Sequence, residues 1–172
     1  MLQTKTIMVV ALLGLVACDK DTATNEPREV SGYKIEPAFY AENSRVSDKA
    51  REKCNFEAKL TTRVAEAIQS KGTGKKSGDG KTLKLSIQRV NGAEEDWEGD
   101  ITVLVEGVLH YHEADEKHQF DAHGHAEAGL GGMTGVCAGL DEISGELADH
   151  IVEWLASPRH EAEIGDHPTA GY

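Results

Sequence analysis

Residues 101–112 read ITVLVEGVLHYH, and the alternation in this stretch decides the kind of fold that the chain adopts. Large apolar residues (Ile101, Val103, Val105, Leu109 and Tyr111) occupy odd positions, whereas polar residues occupy most even positions. Successive side chains of a strand point to opposite faces of its sheet. The stretch therefore predicts a long β-strand with its odd positions buried.

The stretches on both sides continue the same alternation. Leu83, Leu85 and Ile87 alternate with polar residues in a strand predicted over residues 82–90. After a charged turn, Phe120 and the even positions up to residue 128 predict a third strand of this group. Earlier in the chain, residues 30–40 form a short extended run that is interrupted by Pro37, which predicts a strand at a sheet edge.

Two segments have the helical period instead. Apolar residues recur every three to four positions from Phe56 to Ile68, before a stop at Gly72, and again from Val136 to Leu155. The predicted order is strand, helix, three strands, helix. This order predicts an α+β fold in which an antiparallel four-stranded sheet carries both helices on one face.

The composition excludes several kinds of partner. The chain has 18 Lys and Arg against 30 Asp and Glu, a formal net charge of −12. Nucleic acids and anionic lipid surfaces are bound through an excess of basic side chains. We therefore expect no nucleic-acid partner, and we interpret the acidity as a solvated surface that keeps the protein in solution.

The amino terminus indicates export. Residues 7–17 are an uninterrupted apolar run, too short for a stable transmembrane anchor, after a short segment with one positive charge. The run closes with Leu15-Val16-Ala17-Cys18, which resembles the lipobox of bacterial lipoproteins. The resemblance implies cleavage before Cys18, which would carry a diacylglyceryl thioether, and a lipid-anchored domain facing the periplasm. Asp19 resembles the signal that retains some enteric lipoproteins in the inner membrane.

These observations divide the chain into four parts. We expect a signal peptide at residues 1–17, a flexible tether at residues 18–29, a single α/β domain at residues 30–157 and a disordered polar tail at residues 158–172. The predicted layout is similar to the small α/β domains of several envelope lipoproteins, including the lipopolysaccharide-assembly lipoprotein. A cysteine that opens the first helix (Cys54), a Gly-rich turn before a second cysteine (residues 131–137) and a final helix that ends with Glu153-Trp154-Leu155 resemble a group of small uncharacterised lipoproteins.

Export also decides how the three cysteines are interpreted, because the compartment outside the inner membrane is oxidising. If Cys18 is acylated, Cys54 and Cys137 remain as an even pair, and we predict a disulfide between them. The alternative is two separate buried thiols, which would act as small apolar side chains.

Histidines are concentrated in the predicted hairpin. His110, His112, His123 and His125 are expected to share the sheet face away from the helices. With a four-residue turn, His112 would lie opposite His123 and His110 opposite His125. Imidazoles with nearby carboxylates suit Zn²⁺ or Cu²⁺. The alternative interpretation is an exposed polar sheet face that binds no metal.

No catalytic motif stands out. The sequence lacks Gly-x-Ser-x-Gly and His-Glu-x-x-His, and Gly80-Lys81-Thr82 resembles the end of a P-loop but runs from helix to strand, the reverse of a P-loop. We therefore predict a non-enzymatic lipoprotein that is tethered to a membrane and binds a protein partner or supports an envelope assembly, without a cofactor. The alternative function is metal binding through the hairpin histidines.

Overall fold

A computed structural model describes residues 23–72, 80–95, 97, 99–129 and 131–165. In that part of the chain, the elements follow in the order β1 (Arg28–Val30), β2 (Tyr33–Ile35), β3 (Phe39–Arg45), α1 (Asp48–Cys54), α2 (Phe56–Lys71), β4 (Lys81–Asn91), β5 (Asp100–Tyr111), β6 (Glu116–Glu127), α3 (Met133–Ala156) and β7 (Ala162–Gly165). The predicted α+β class is confirmed.

The predicted antiparallel four-stranded sheet is wrong in its detail. The sheet has seven strands in the order β1-β2-β4-β5-β6-β7, and β3 also pairs with β4. The central strands β4, β5 and β6 are antiparallel, but β2 and β3 run parallel to β4, and β7 runs parallel to β6. The parallel pairs arise because helices connect the strands: α1 and α2 lie between β3 and β4 in the chain, and α3 lies between β6 and β7. A helix that crosses one face of the sheet returns the chain to the end where the previous strand began, so the next strand runs parallel to it.

Two predicted boundaries also need correction. Part of the tail expected to be disordered forms β7, in which Ile164 pairs with Ala122 of β6. Part of the expected tether is structured as well, because β1 begins at Arg28 and the Ala23 carbonyl accepts a hydrogen bond from Asn55 Nδ2 at 2.9 Å. Strands of three or four residues are too short to show an alternation in sequence. The predicted signal peptide lies outside the described residues.

The core lies between the sheet and the helices. The odd positions of β5 and the even positions of β6 face it, as predicted, and the largest fully buried side chains come from both layers: Ile35, Phe56, Leu60, Ile68, Leu83, Leu85, Ile87, Ile101, Leu109, Phe120, Leu140 and Ile143. Phe120 packs against Trp154 of α3, with ring centroids 4.5 Å apart. Burial of these side chains supplies the main force for folding.

The two long helices run in the same direction along the sheet. Lys59 of α2 pairs with Asp141 of α3 at 3.2 Å. Further along both helices, Lys71 of α2 pairs with Asp149 of α3 at 2.9 Å. Both helices therefore begin at one end of the domain, which we call the entry end. It comprises α1, the first turns of α2 and α3, and the described residues of the β4–β5 connection (92–95, 97 and 99). The opposite end, which we call the hairpin end, carries the β1–β2 and β5–β6 turns and the start of β4.

Candidate binding site at the hairpin end

The predicted disulfide is confirmed. Cys54 at the last position of α1 is bonded to Cys137 of α3, and their Cα atoms lie 4.8 Å apart. Cys54 is buried and Cys137 is partly buried. The bond joins the helices at the entry end. Cys18 lies outside the described residues, so its acylation stays a prediction.

The predicted histidine pairs are wrong. In the β5–β6 pairing, His110 lies opposite Lys117, Leu104 opposite His123 and Thr102 opposite His125. Tyr111 pairs with Glu116, so the turn consists of residues 112–115 and is centred between residues 113 and 114. The predicted histidine pairs require a four-residue turn centred between residues 117 and 118, four positions later in the chain.

Packing of one aromatic ring explains this register. Gly107 lies opposite Phe120, and both face the core. A Cβ atom on Gly107 would lie only 1.9 Å from Cζ of Phe120, so the ring occupies the space that a side chain would need. In the predicted register, Phe120 would have lost this position beside a glycine.

The histidines consequently form two separate groups. The rings of His110 and His112 are 4.4 Å apart at the hairpin end, while His123 and His125 lie towards the entry end. Six residues of β5 separate Leu104 from His110, which corresponds to about 20 Å. Among the residues that the structure describes, no three His, Cys, Asp or Glu side chains are grouped so that they could hold a metal ion.

Carboxylates contact members of both histidine groups. His110 Nε2 lies 3.2 Å from Asp115 Oδ1, and His125 Nε2 lies 3.4 Å from Asp100 Oδ1. The structure thus uses these two imidazoles as local partners of acidic side chains. It does not bring the four predicted ligands together.

The hairpin end contains an open cleft of about 440 Å³, which we call the hairpin-end cleft. It is lined by Glu29, Val30, Ser31, Gly32, Tyr33, Lys34, Gly80, Lys81, Thr82 and His112. One wall is the β1–β2 turn, where Ser31 and Gly32 both have positive φ, at 49° and 82°. Two-residue hairpin turns favour this conformation, and glycine adopts it at no steric cost.

Polar groups in the cleft are held in fixed positions. Lys81 Nζ lies 5.2 Å from the ring centre of Tyr33 and 5.1 Å from that of Tyr111, distances at which a cation is attracted to an aromatic face. Thr82 Oγ1 and His112 Nε2 are hydrogen-bonded at 2.7 Å. The cleft therefore places an ammonium and an imidazole beside the partly buried Val30, while Tyr33 and Thr82 are buried behind them. This lining suits binding of a mixed polar and apolar group.

The cleft was not predicted as a site from the sequence. Its main signal was the pair Ser31-Gly32 between Val30 and Tyr33, which is typical of a two-residue hairpin turn. In the sequence, Lys81 and Thr82 stand out only through the P-loop-like stretch Gly80-Lys81-Thr82. Their actual neighbours come from β2 and from the end of β5, which no local pattern connects.

Tyr33 and Tyr111, whose rings both contact Lys81, predict a loss of stability at alkaline pH. Burial raises the pKa of Tyr33, and Tyr111 raises it further; burial and the Glu116 carboxylate raise the pKa of Tyr111. A raised folded-state pKa stabilises the fold fully below the unfolded pKa of about 10, and this contribution is lost as pH rises through the folded value. We expect the free energy of unfolding, measured in urea, to fall above about pH 10.

The matched control is the double variant Tyr33→Phe/Tyr111→Phe, in which this decline should be shallower. Tyr40 also has a raised pKa, caused by burial and by Glu57, so a smaller decline should remain. An identical decline in the wild type and in the double variant would contradict the assignment.

Within the described part of the chain, no helix is both long enough and apolar enough to cross a membrane.

Taken with its disulfide, the architecture defines a small two-layer α/β domain with a polar cleft at one end. Crystal structures of several bacterial proteins are similar to it. A Xanthomonas campestris protein of the family DUF330 has a TM-score of 0.52 and 11% identity, over 76% of this chain and 86% of that chain. At this identity, the likeness shows the fold alone.

Two further solved structures have lower scores. A Caulobacter crescentus protein assigned provisionally as a lipoprotein has a TM-score of 0.44 and 14% identity, over 74% of this chain and 89% of that chain. A minor lipoprotein from Acinetobacter baumannii has a TM-score of 0.36 and 10% identity, over 70% and 93%. No family model and no curated protein matches the sequence.

Proposed function

We propose that this protein is a lipid-anchored component of the bacterial envelope whose domain faces the periplasm and binds a protein partner without catalysing a reaction. The observation that carries the proposal is the placement of the hairpin-end cleft. The described chain starts at Ala23 beside Asn55, at the entry end, while the cleft lies at the opposite end. An anchor at Cys18 would leave the cleft accessible from the periplasm.

The disulfide supports the export that this proposal requires. Cystines persist in oxidising compartments and are rare in reducing ones. Cys54 and Cys137 are the two cysteines that remain if Cys18 is acylated, and they are bonded to each other. The lipobox-like stretch that ends at Cys18 agrees with the same compartment.

The form of the cleft favours a polypeptide over an enclosed small molecule. Its walls are a tight turn and two strand ends, so that it opens broadly to the solvent. Lys34 and Lys81 place positive charge beside Glu29. Charged and polar groups of this kind form the rim of protein interfaces.

Site-directed photo-crosslinking in cells tests the proposal. A photoreactive residue in place of exposed Lys34 should form a discrete adduct with one protein, whereas the same residue in place of Glu66, on the exposed side of α2, should not. Combining the Lys34 probe with Lys81→Ala should reduce the adduct at least about fivefold, as expected when a contact worth about 1 kcal/mol is removed.

Mass spectrometry of the mature amino terminus supplies the second part of the test. The wild type should begin with an acylated Cys18, and Cys18→Ser should accumulate as an unprocessed precursor. An unmodified Cys18, or cleavage at another position, would refute the anchor. Equal adducts from the Lys34 and Glu66 probes would refute the cleft as the binding site.

A further inference from the structure

We propose that the sheet face away from the core binds a basic polypeptide segment of a partner protein. The surface is one row of side chains that crosses five strands, which we call the outer-face row; it consists of Phe39, Ser86, Glu106, Asp121 and Glu163. An aromatic ring forms one end of the row and three carboxylates form the other. The row is separate from the hairpin-end cleft, because Ser86 lies four residues, about 13 Å, from Thr82 along β4.

The pairing of the strands places the members of the row side by side. Phe39 of β3 lies opposite Ser86 of β4, and Ser86 lies opposite Glu106 of β5. Asp121 of β6 then lies opposite both Glu106 and Glu163 of β7. The residues before and after Ser86, Glu106 and Asp121 in the chain are buried, so these side chains point away from the core. Neighbouring strands are about 4.8 Å apart, so the row is about 19 Å long.

Phe39 is the apolar contact of the row. It is 52% exposed, although most large apolar residues of the strands are buried. The partly exposed Leu104 and Val108 lie on the same face, because the even positions of β5 alternate with its buried odd positions. Exposed aromatic rings that become buried on association contribute much of the binding free energy at protein interfaces.

The carboxylates of the row repel one another. Residues directly opposite each other have Cβ atoms about 5 Å apart, and like charges in this arrangement are unfavourable. Glu106 Oε2 accepts a hydrogen bond from Gln88 Nε2 at 2.9 Å, but Gln88 carries no charge. The repulsion between Glu106 and Asp121 therefore remains, and Glu163 adds a third negative charge to the row. A cation above the row would be attracted by all three carboxylates.

An open depression of about 350 Å³ lies over the acidic end of the row. Its charged lining residues are all acidic: Glu106, Asp121, Glu161 and Glu163. Two basic side chains lie elsewhere on the same face. Lys84 pairs with Glu36 at 3.2 Å, and Lys117 lies four residues, about 13 Å, from Asp121 along β6. The depression therefore suits the charged end of a lysine or arginine side chain, which carboxylates bind through short hydrogen bonds.

Charge complementarity identifies the occupant. The chain has a net charge of −12, so a second copy would bring acidic surface against the acidic end of the row. An anionic bilayer would be repelled in the same way. A polypeptide that carries lysine or arginine side chains and at least one apolar side chain complements both ends of the row.

Fluorescence anisotropy with a synthetic peptide tests the proposal. The probe is a labelled peptide of roughly 16 residues, long enough to span the row, with leucines at one end and lysines towards the other. The protein is the full-length chain in a non-ionic detergent, at about 0.15 M salt and about pH 8, where histidines are neutral. We expect saturable binding that weakens with added salt. A peptide with glutamate in place of lysine should not bind.

Two triple variants with the same change in net charge locate the contact. The first neutralises the carboxylates of the row and should weaken binding at least about tenfold: Glu106→Gln, Asp121→Asn and Glu163→Gln. The second neutralises exposed carboxylates of the helices and should weaken binding less than about twofold, because distant charges are screened: Glu52→Gln, Glu66→Gln and Glu142→Gln.

The apolar end of the row is tested separately. Phe39→Ala should weaken binding at least about fivefold. Circular dichroism should show that the row variant is folded and at least as stable as the wild type, because like charges have been removed. Equal losses in the two triple variants, or equal binding of the glutamate peptide, would overturn the proposal. A wild-type dimer that Phe39→Ala dissociates in sedimentation would also overturn it, since a second copy would then occupy the face.

A cleft variant separates this proposal from the proposed function. Lys81→Ala should reduce the crosslink at the hairpin-end cleft without weakening binding of the basic peptide, because Lys81 lies outside the outer-face row. If Lys81→Ala weakens peptide binding as much as the row variant does, the peptide binds in the cleft and the proposal for the outer face is wrong.

Discussion

Replacing Cys54 and Cys137 together by alanine will lower the free energy of unfolding by about 2–5 kcal/mol. The bond connects residues 83 positions apart, so its removal frees a large part of the unfolded chain. It also joins α1 to α3, the helix that covers the centre of the sheet. Urea unfolding of the purified domain, followed by circular dichroism, measures the difference.

The single variants provide the control for this prediction. Cys54→Ala and Cys137→Ala break the same bond, so each should lose most of what the double variant loses. Addition of a reductant should destabilise the wild type and leave the double variant unchanged. A loss below about 1 kcal/mol in the double variant would show that the helices are held together without the bond.

Gly107→Ala will destabilise the domain by roughly 3 kcal/mol, the upper part of the range for overpacking a core. The new methyl group would meet the ring of Phe120, which is itself packed against Trp154. Relief requires the ring to move or the two strands to separate. Urea unfolding again supplies the measurement.

A double-mutant cycle and a matched glycine make this prediction specific. Gly107→Ala should cost at least about 1 kcal/mol less when Phe120 is already replaced by leucine, because the clashing atoms are gone. Gly145→Ala should be neutral or stabilising by up to about 1 kcal/mol, since nothing lies within 4 Å of the added atom and helices favour alanine. Equal costs in both Phe120 backgrounds would contradict the proposed origin of the register.

The Gly107–Phe120 contact also bears on the question of metal binding. It holds β5 and β6 in the register that places His123 opposite Leu104 and leaves His110 opposite Lys117. A shift of the strands that brought the four histidines together would take Phe120 away from Gly107. The cost of that displacement in the core opposes a metal site at this hairpin.

The sequence by itself determined the local elements and the pairing of the cysteines. Strands β4, β5 and β6 and the two long helices were predictable because their apolar residues recur with a period of two residues in the strands and about 3.6 residues in the helices. The apolar residues at odd positions of β5 and at even positions of β6 also indicated which side chains face the core. If Cys18 carries the lipid anchor, only Cys54 and Cys137 remain. Export to an oxidising compartment then predicts a disulfide between these two cysteines.

Only the tertiary structure decided the register, the strand directions and the hairpin-end cleft. A shift of β6 along β5 by two residues keeps the same side chains facing the core, so the alternation alone allows several registers. The fit of Phe120 beside Gly107 selects one of these registers. The strands β1, β2 and β7 are too short to carry a pattern, so their neighbours define them. The cleft joins residues from β1, β2 and β4 with His112, which follows β5. Their proximity depends on contacts between residues far apart in the chain.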